Sequence, residues 1–189
     1  MRFIVAGYSP RLKEVPLSFL DSGKVIGVNQ TYRIINDYLD AWLLWDHNIS
    51  TTHKEIHDHK HIRCPKFVRS DPNNKEFFGN ERGIFWFQSA RKRLPLTWEL
   101  PLHLSFSGSS ITAAANLALV LGASEIILVG VDFIGKQRAC GWQYPYSDLE
   151  SMARLTSIYF KNFPIPVYKT VEESLLSLPF CDLGVKWTL

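Results

Sequence analysis

The stretch SFSGSSITAAANLALVLGASEIILVGVDF, residues 105–133, decides the fold. Its alanine- and leucine-rich centre, residues 111–121, has high helix propensity, and Ser107 or Ser109 can supply the N-cap. Gly122 ends this helix as a left-handed cap, and the apolar run EIILVG that follows is typical of a strand buried on both faces. A helix that leads directly into such a strand predicts a unit of a parallel sheet.

Other segments repeat this alternation of strand and helix. Short apolar strands are predicted in RFIVAG, KVIGVN, DAWLLW and PIPVYK, and helices in QTYRIINDYL, SDLESMARLTSIYFKNF and TVEESLLSL, the last capped by Thr170. This alternation predicts one α/β domain over residues 1–189, Rossmann-like, with a mostly parallel sheet and helices on both faces. The interval from about 50 to 104 is polar and rich in Pro, Asn and Gly, and it is predicted to be an irregular insertion or lid.

The composition indicates a soluble globular protein. Of 189 residues, 46% are hydrophobic and 21% are charged, which argues against disorder. Three cysteines at no metal-like spacing, with no signal peptide, predict a cytoplasmic protein. No apolar run reaches the roughly 20 residues of a membrane span. The formal net charge of +3 permits a phosphate-bearing partner, and assembly into a homo-oligomer is left open.

Four predicted strands end in turn or polar residues. The carboxyl ends of parallel strands share one edge of the sheet, and ligands bind there where the strand order reverses. A cleft is therefore expected at this edge. We predict that it is built from Gly7, Tyr8, Ser9, Pro10, Asn29, Asp46, Ser107, Gly108, Ser109 and Asp132.

Two glycine-containing turns predict binding of an anion such as a nucleotide phosphate. In AGYSP, Gly7 lets the backbone approach a ligand, although an ordinary strand-to-helix turn has the same form. In SGSS, unpaired N–H groups at a helix N-terminus favour negative charge, and Gly108 has no side chain to block it. Plain N-capping by the serines is the alternative interpretation.

Three polar side chains at strand ends are candidates for contact with the ligand. The amide of Asn29 suits a ribose or a nucleobase edge, or else it holds its own turn. Asp46 and Asp132 are the candidate catalytic carboxylates, able to bind ribose, to hold Mg²⁺ with phosphates, or to act as a base. Asp132 alternatively caps the loop that follows it, and the metal ligands are left undetermined.

Three further motifs have weaker functional interpretations. His53 and His57, in the His-rich segment 53–61, have a spacing that suits zinc but also fits a solvated loop. The basic run of residues 91–93 suits a phosphate-rich ligand or a nucleic acid acceptor, or is a solvated loop. The rings of Trp142, Tyr144 and Tyr146 suit stacking on a base or the lining of an acceptor pocket, or else they fill the core.

Four of these segments, FIVAGYSPRLKEV, VIGVNQTY, residues 107–133 and VEESLLSLPF, resemble two related groups of proteins in the same order. One group is the bacterial sialyltransferases of glycosyltransferase family 42. The other is the MptE-like proteins, which include archaeal 6-hydroxymethylpterin diphosphokinases and many phage-borne relatives. The resemblance covers residues 1–48 and everything from about residue 105 onward.

The sialyltransferase resemblance implies that a cytidine nucleotide contacts the first turn, the second strand end and the serine-rich turn. The matching positions are Gly7, Ser9, Pro10, Asn29, Ser107 and Gly108. Tyr8 stands where that family has Asn, and Arg11 stands where it has Ser. The family's general base is a late His, and residues 135–189 contain no His.

The segment VNQTY and the closing helix resemble the sialyltransferase group most closely, so the favoured function is a glycosyltransferase-like enzyme that uses a nucleotide-activated sugar donor. The MptE-like resemblance implies instead a diphosphokinase that uses ATP and Mg²⁺ on a small hydroxymethyl acceptor, with Lys24 and Lys136 as candidate phosphate-binding cations. A third alternative is a nucleotide-binding protein without catalytic activity. The acceptor is left open among a saccharide, a pterin-like molecule and a nucleic acid.

Overall fold

The structure of the chain is a computed structural model that describes residues 1–45, 59–90, 102–105, 107, 109–134 and 149–183. The strands within these residues are β1 (Arg2–Ala6), β2 (Lys24–Val28), β3 (Ala41–Leu44), β4 (Lys66–Arg69), β5 (Ile84–Ala90), β6 (Leu102–Ser105), β7 (Glu125–Val129) and β8 (Val167–Lys169). All neighbours pair in parallel and form one sheet in the order β6-β5-β4-β3-β2-β1-β7-β8. The predicted α/β fold with a parallel sheet is confirmed.

The helices in the described residues are α1 (Leu17–Leu20), α2 (Tyr32–Ile35), α3 (Pro72–Phe78), α4 (Ser110–Val120) and α5 (Leu149–Lys161). Short 3-10 segments span Pro10–Glu14, Asn29–Thr31, Asn36–Tyr38 and His59–His61. The predicted long helix is confirmed as α4, and Gly122 follows it with the left-handed φ of +90° that such a cap requires. Across the described part of the chain, no helix combines the length and apolar character needed to cross a bilayer.

Successive residues of a strand point to opposite faces of the sheet, so each strand contributes side chains to two separate cores. In β1, Phe3 and Val5 belong to a core cluster that includes Leu117 of α4 and Phe160 of α5. Ile4 and Ala6 belong to a second cluster, formed with residues of the segment Pro10–Glu14 and of α1, α2 and α3. Near-continuous apolar strands are therefore required, as the sequence pattern indicates.

The strand order reverses once, at β1. From β1 the chain adds β2 to β6 outward on one side, and it then returns through α4 so that β7 pairs with the other side of β1. The two strands run in register from Arg2 opposite Glu125 to Ala6 opposite Val129. Since ligands of open α/β sheets bind at such a reversal, the fold places a candidate crevice between the loops that follow β1 and β7.

The interval of about 50–104, predicted to be an irregular insertion or lid, contributes three strands to the same sheet. β4 pairs with β3, β5 with β4, and β6 with β5. The polar stretches that suggested irregularity include the 3-10 segment His59–His61, which precedes β4, and helix α3, which lies between β4 and β5. In its described residues this interval extends the sheet.

The predicted helix over residues 170–178 is wrong, because the described chain forms turns there. Lys169 Nζ donates to the carbonyl groups of Glu172 (2.8 Å) and Ser174 (3.1 Å). Val171 and Leu176 are the buried apolar positions, and a spacing of five residues does not fit one face of a helix. Tertiary contacts therefore override the helix propensity of this segment.

Candidate functional site

The loops after β1 and β7 approach each other closely at the reversal of strand order. The N–H of Gly7 donates to the Val129 carbonyl (2.8 Å), and the N–H of Ser9 donates to the Gly130 carbonyl (3.1 Å). A Cβ atom at Gly7 would lie 2.5 Å from the Gly130 carbonyl oxygen, so a larger residue would push the two loops apart. Packing between these loops is therefore sufficient to explain the glycine in the first turn.

Ser9 uses its hydroxyl group within the protein. Its Oγ donates to Asp132 Oδ2 (2.7 Å) and accepts from the N–H of Arg11 (3.1 Å), which caps the segment Pro10–Glu14. Ser9 and Asp132 are only 3% and 5% exposed. The first predicted turn and the strand-end carboxylate therefore meet at the crevice, and they are bound to each other.

Arg11 supplies a buried positive charge beside this pair. Its Nε lies 3.8 Å from Asp132 Oδ2, and its Nη1 lies 3.4 Å from Glu173 Oε2. Arg11 is 8% exposed, whereas half of the Glu173 side chain is exposed. A buried carboxylate needs a cation or several donors, and Arg11 provides the cation for Asp132. The sequence marked Arg11 as unusual but could not indicate Glu173, which lies 162 positions later.

Asp132 also accepts hydrogen bonds from the segment after β8 and from its own loop. Its carbonyl oxygen accepts from Ser174 Oγ (3.0 Å) and from the N–H of Leu175 (3.1 Å), while its Oδ1 accepts from the N–H of Ile134 (3.3 Å). Phe133 has a φ of +56°, a left-handed conformation that is unfavourable for a bulky residue. Asp132 therefore caps its own loop, as one interpretation of the sequence allowed, and also joins the loops after β1 and β8.

Asn29 ties the carboxyl ends of β2 and β3 together. Its Oδ1 accepts from the N–H of Trp45 (3.3 Å), and its carbonyl oxygen accepts from Trp42 Nε1 (2.6 Å). Its φ of +52° is a left-handed conformation that Asn tolerates better than most residues. These contacts correspond to the turn-holding interpretation, and contact between Asn29 and a ligand stays a prediction.

Sequence reasoning missed two residues farther along the same edge, Trp45 and Arg69. The guanidinium carbon of Arg69 lies 5.3 Å from the centroid of the Trp45 ring, and its Nε lies 3.9 Å from Asp71 Oδ2. The Arg69 side chain is 25% exposed. A basic residue that ends the buried strand KFVR was the signal available in the sequence. This residue gives the edge a partly exposed cation whose direction is fixed by a ring and a carboxylate.

Thr112 fixes the serine-rich turn before α4. Its Oγ1 accepts from the N–H of Ser107 (2.9 Å) and donates to the carbonyl oxygen of Ser109 (2.6 Å). Ser109 is the N-cap, since its Oγ accepts from the N–H of Ile111 (3.2 Å). Thr112 is completely buried, and its position inside the helix gave no sign of this role in the sequence. The N-capping prediction is confirmed at Ser109.

The remaining predicted positions are placed as follows. Tyr8 is half-buried, and Pro10 is the exposed first residue of a 3-10 segment. Asp46 and Gly108 lie outside the described residues. The same holds for His53, His57, residues 91–93, Lys136, Trp142, Tyr144 and Tyr146.

Lys24, one of the cations suggested for the diphosphokinase alternative, lies at the opposite edge of the sheet. It begins β2, and its Nζ donates to Asp40 Oδ1 (2.7 Å). This hydrogen bond and the charge of Asp40 raise the pKa of Lys24 above its ordinary value of 10.5. Lys24 is therefore paired at the amino ends of the strands and cannot contact a phosphate in the crevice.

Asp132 is a poor candidate for the Mg²⁺ ligand that the sequence allowed. Magnesium prefers several oxygen ligands in a regular arrangement. Asp132 Oδ2 already accepts from Ser9 and lies beside the Arg11 guanidinium, whose charge would compete with a metal ion. Among the described residues, no group of three or more His, Cys, Asp or Glu side chains is arranged to hold a metal ion.

No protein-family model matches the sequence, and no curated protein matches it. Several solved structures do have the same fold as this chain, and they include sialyltransferases of Campylobacter jejuni. The sialyltransferase Cst-II in complex with a trisaccharide acceptor and CMP matches with a TM-score of 0.57 and 16% identity, covering 100% of this chain and 89% of that one.

Two further structures show the extent of the likeness. CstII with the substrate analogue CMP-3FNeuAc has a TM-score of 0.57 and 16% identity, over 99% of this chain and 89% of that one. The monofunctional α-2,3-sialyltransferase Cst-I has a TM-score of 0.53 and 13% identity, over 95% and 80% of the two chains. The predicted resemblance to sialyltransferases is thus confirmed for the fold, whereas the MptE-like and phage-borne resemblances stay predictions.

Proposed function

We propose that this chain binds a nucleotide-activated sugar in the crevice between the loops after β1 and β7, and transfers the sugar to a saccharide hydroxyl group. The observation that carries the proposal is the likeness of the fold, over nearly its whole length, to sialyltransferases whose structures contain CMP or a CMP-sugar analogue. A cytidine nucleotide is therefore the first choice among donor nucleotides.

Several features of the carboxyl edge suit such a donor. The N-terminus of α4 carries a partial positive charge, and Thr112 holds the turn that precedes it. Arg69 adds a partly exposed cation. Adjacent strands lie about 4.8 Å apart, so the edge from the end of β7 to the end of β4 spans roughly 19 Å. This length accommodates a nucleotide together with its sugar.

Transfer breaks the bond between the sugar's anomeric carbon and the phosphate oxygen and forms a bond to the acceptor oxygen. The acceptor proton must pass to a base. Asp132 is buried and already paired with Ser9 and Arg11, so we assign it to holding the loops in position. Asp46, which follows the end of β3 by two residues in the sequence, keeps its predicted role as a candidate base.

A nucleotide-binding protein without transferase activity is the second candidate function. It is favoured by the pairing of Asp132 and by the lack of a His in residues 135–189. Both candidates require nucleotide binding and differ only in turnover, so one set of measurements distinguishes them.

Calorimetric titration with CMP, CDP, UDP, ADP and ATP tests the binding step. We expect CMP to bind most tightly. Incubation with a CMP-linked sugar, with and without a saccharide acceptor, then tests transfer through the acceptor-dependent release of free CMP. Asp46→Asn should abolish this release and leave the affinity for CMP close to that of the wild type.

Asn29→Ala tests the location of the site and should weaken CMP binding. Asn162→Ala is the matched control, because Asn162 is exposed just after the end of α5 and its side chain donates to the Ile158 carbonyl of that helix. Equal CMP affinity in the two variants would place the nucleotide elsewhere. A wild-type chain that binds none of the five nucleotides would refute both candidate functions.

A further inference from the structure

Helix α5 presents large apolar side chains to solvent. Leu155 is 44% exposed and Ile158 is 54% exposed, and Leu175, on the segment after β8, is 47% exposed. Ile158 and Leu175 line the same groove. Single exposed apolar residues are normal, but an apolar cluster on one surface marks a site of association.

The groove lies between α5 and residues 175–177 and has a volume of about 330 Å³. Its polar floor is satisfied internally. Ser157 Oγ donates to the Ala153 carbonyl (2.7 Å) and accepts from the N–H of Ser177 (2.9 Å). What the groove offers a partner is therefore its apolar walls and the charges along its rim.

Those charges have a definite order along the helix. Glu150 lies at the start of α5 and Lys161 at its end, and both line the groove. Eleven residues are close to three helical turns, so the two side chains share one face about 16 Å apart. Two such helices packed in parallel would oppose like charges. Packed antiparallel, each Glu150 faces Lys161 of the other copy.

We propose that α5 and residues 175–177 form a two-fold symmetric interface with a second copy of this chain. The axis passes at the level of Leu155, so that the apolar residues of the two helices meet at the centre and two Glu150–Lys161 ion pairs close the ends. A surface that complements itself in this way is what a two-fold interface requires. The Arg154 stem covers Ile158 of the second copy, and its charged end stays at the wet rim.

A second copy fits the groove better than a small molecule does. The exposed apolar surface extends along α5 from Ile158 to Leu155, outside the groove itself. A small ligand in the groove would leave Leu155 in water, whereas an antiparallel helix covers both residues. None of the residues that line the groove is among the predicted ligand contacts, although the N–H of Leu175 donates to the Asp132 carbonyl beside the crevice. Association can be measured without any nucleotide, so the proposal does not depend on the proposed function.

Sedimentation velocity of the full chain over a wide range of concentrations tests the interface. We expect a monomer–dimer equilibrium. Glu150→Lys and Lys161→Glu each bring like charges together and should raise the dissociation constant at least ten-fold. The double variant restores opposite charges with the order reversed, and it should recover most of the wild-type affinity.

Charge reversals on another exposed helix provide the matched control. Glu76→Lys and Lys75→Glu on α3 should leave the dimer unchanged, and circular dichroism should show that every variant is folded. The proposal is overturned by a wild-type chain that stays monomeric, by a dimer that ignores the reversals on α5, or by a double variant that dissociates as readily as the single ones. Disruption by Leu155→Glu would confirm that the helix face itself is covered.

Discussion

Two ion networks, each built around a buried cation, lie at opposite edges of the sheet. At the carboxyl edge, Arg11 lies beside Asp132, which also accepts a hydrogen bond from Ser9. At the amino edge, Glu81 accepts from Lys66 Nζ and contacts His59 Nε2, each at 2.5 Å. Both networks place a carboxylate beside a cation that is 8% exposed.

The networks differ in what they connect. Asp132 and Ser9 are 123 positions apart and join the two halves of the sheet at the point where the strand order reverses. Glu81 lies only 15 and 22 positions from its partners and closes one local unit around β4. Burial and pairing of charges therefore do not identify a functional site by themselves. What distinguishes the two networks is that only the Asp132 network lies at the strand-order reversal. The following substitutions test whether this position matters for ligand binding.

The largest effect is expected for Arg11→Met. It leaves the Asp132 carboxylate buried without its cation, and breaking a buried pair from one side typically costs about 3 kcal/mol or more. Urea denaturation should show this loss, and CMP binding should weaken because the two loops lose a common partner. Adding Asp132→Asn to the Arg11→Met variant should recover part of the lost stability. A loss much below 1 kcal/mol would show that Ser9 and the backbone donors are sufficient for Asp132.

Lys66→Met makes the corresponding change at the amino edge. Glu81 is more accessible to water, with 30% of its side chain exposed, and it keeps its contact with His59. The expected loss in urea denaturation is therefore smaller, about 1 kcal/mol. Calorimetry should give an unchanged CMP affinity. A variant at this edge that loses CMP binding while staying folded would contradict the assignment of the site to the carboxyl edge.

Thr112→Val tests whether the hydroxyl group that holds the serine-rich turn contributes to ligand binding. The substitution keeps the shape and removes the hydroxyl that holds Ser107 and Ser109, and one such hydrogen bond is worth about 1 kcal/mol, or roughly five-fold in the CMP dissociation constant. Thr112→Ser should restore binding. Thr156→Val is the matched control, since Thr156 is equally buried and its hydroxyl has no hydrogen-bond partner within the described residues. Equal shifts in the two valine variants would refute the role of Thr112.

The smallest effect concerns pH. Burial of Glu81 disfavours its charged form, but the hydrogen bond from Lys66 and the interaction with His59 outweigh this and lower the pKa of Glu81 below its ordinary value of 4.5. A lowered folded-state pKa stabilises the fold above pH 4.5, and this contribution is lost as the pH falls through the lower value. The melting temperatures of the wild type and of Glu81→Gln should therefore converge below pH 4.5. A difference that does not change with pH would contradict this assignment.

Much of the fold could be predicted because its signals are local. The apolar segments of β1, β2 and β7 and the capped helix α4 are each recognisable within a dozen residues. The segment β5 is less regular, since only Phe87 and Ala90 of its seven residues are buried. Its neighbours β4 and β6 each have three buried residues of four, so the weak pattern of β5 and the polar segments around these strands made the interval look irregular.

The site was predictable only in part, for a related reason. Strand ends could be identified from polar residues such as Asn29 and Asp132, and topology placed them at one edge. The predicted cleft grouped Asp132 with the other strand-end and turn residues and did not say which of them it contacts, whereas its described hydrogen bonds are to Ser9 and to the segment around Ser174. Pairings across more than a hundred residues leave no local pattern, and neither does a supporting threonine inside a helix.

The position of β1 between β2 and β7 has a consequence during synthesis. Arg2 pairs with Glu125, 123 residues later, so one hydrogen-bonding edge of β1 stays open until β7 has been made. At about 5–20 residues per second, a ribosome leaves that edge uncovered for roughly 6–25 s. Unpaired strand edges are templates for association between chains. Nascent chains arrested before residue 125 should therefore bind holdase chaperones, and release from them should coincide with the emergence of β7.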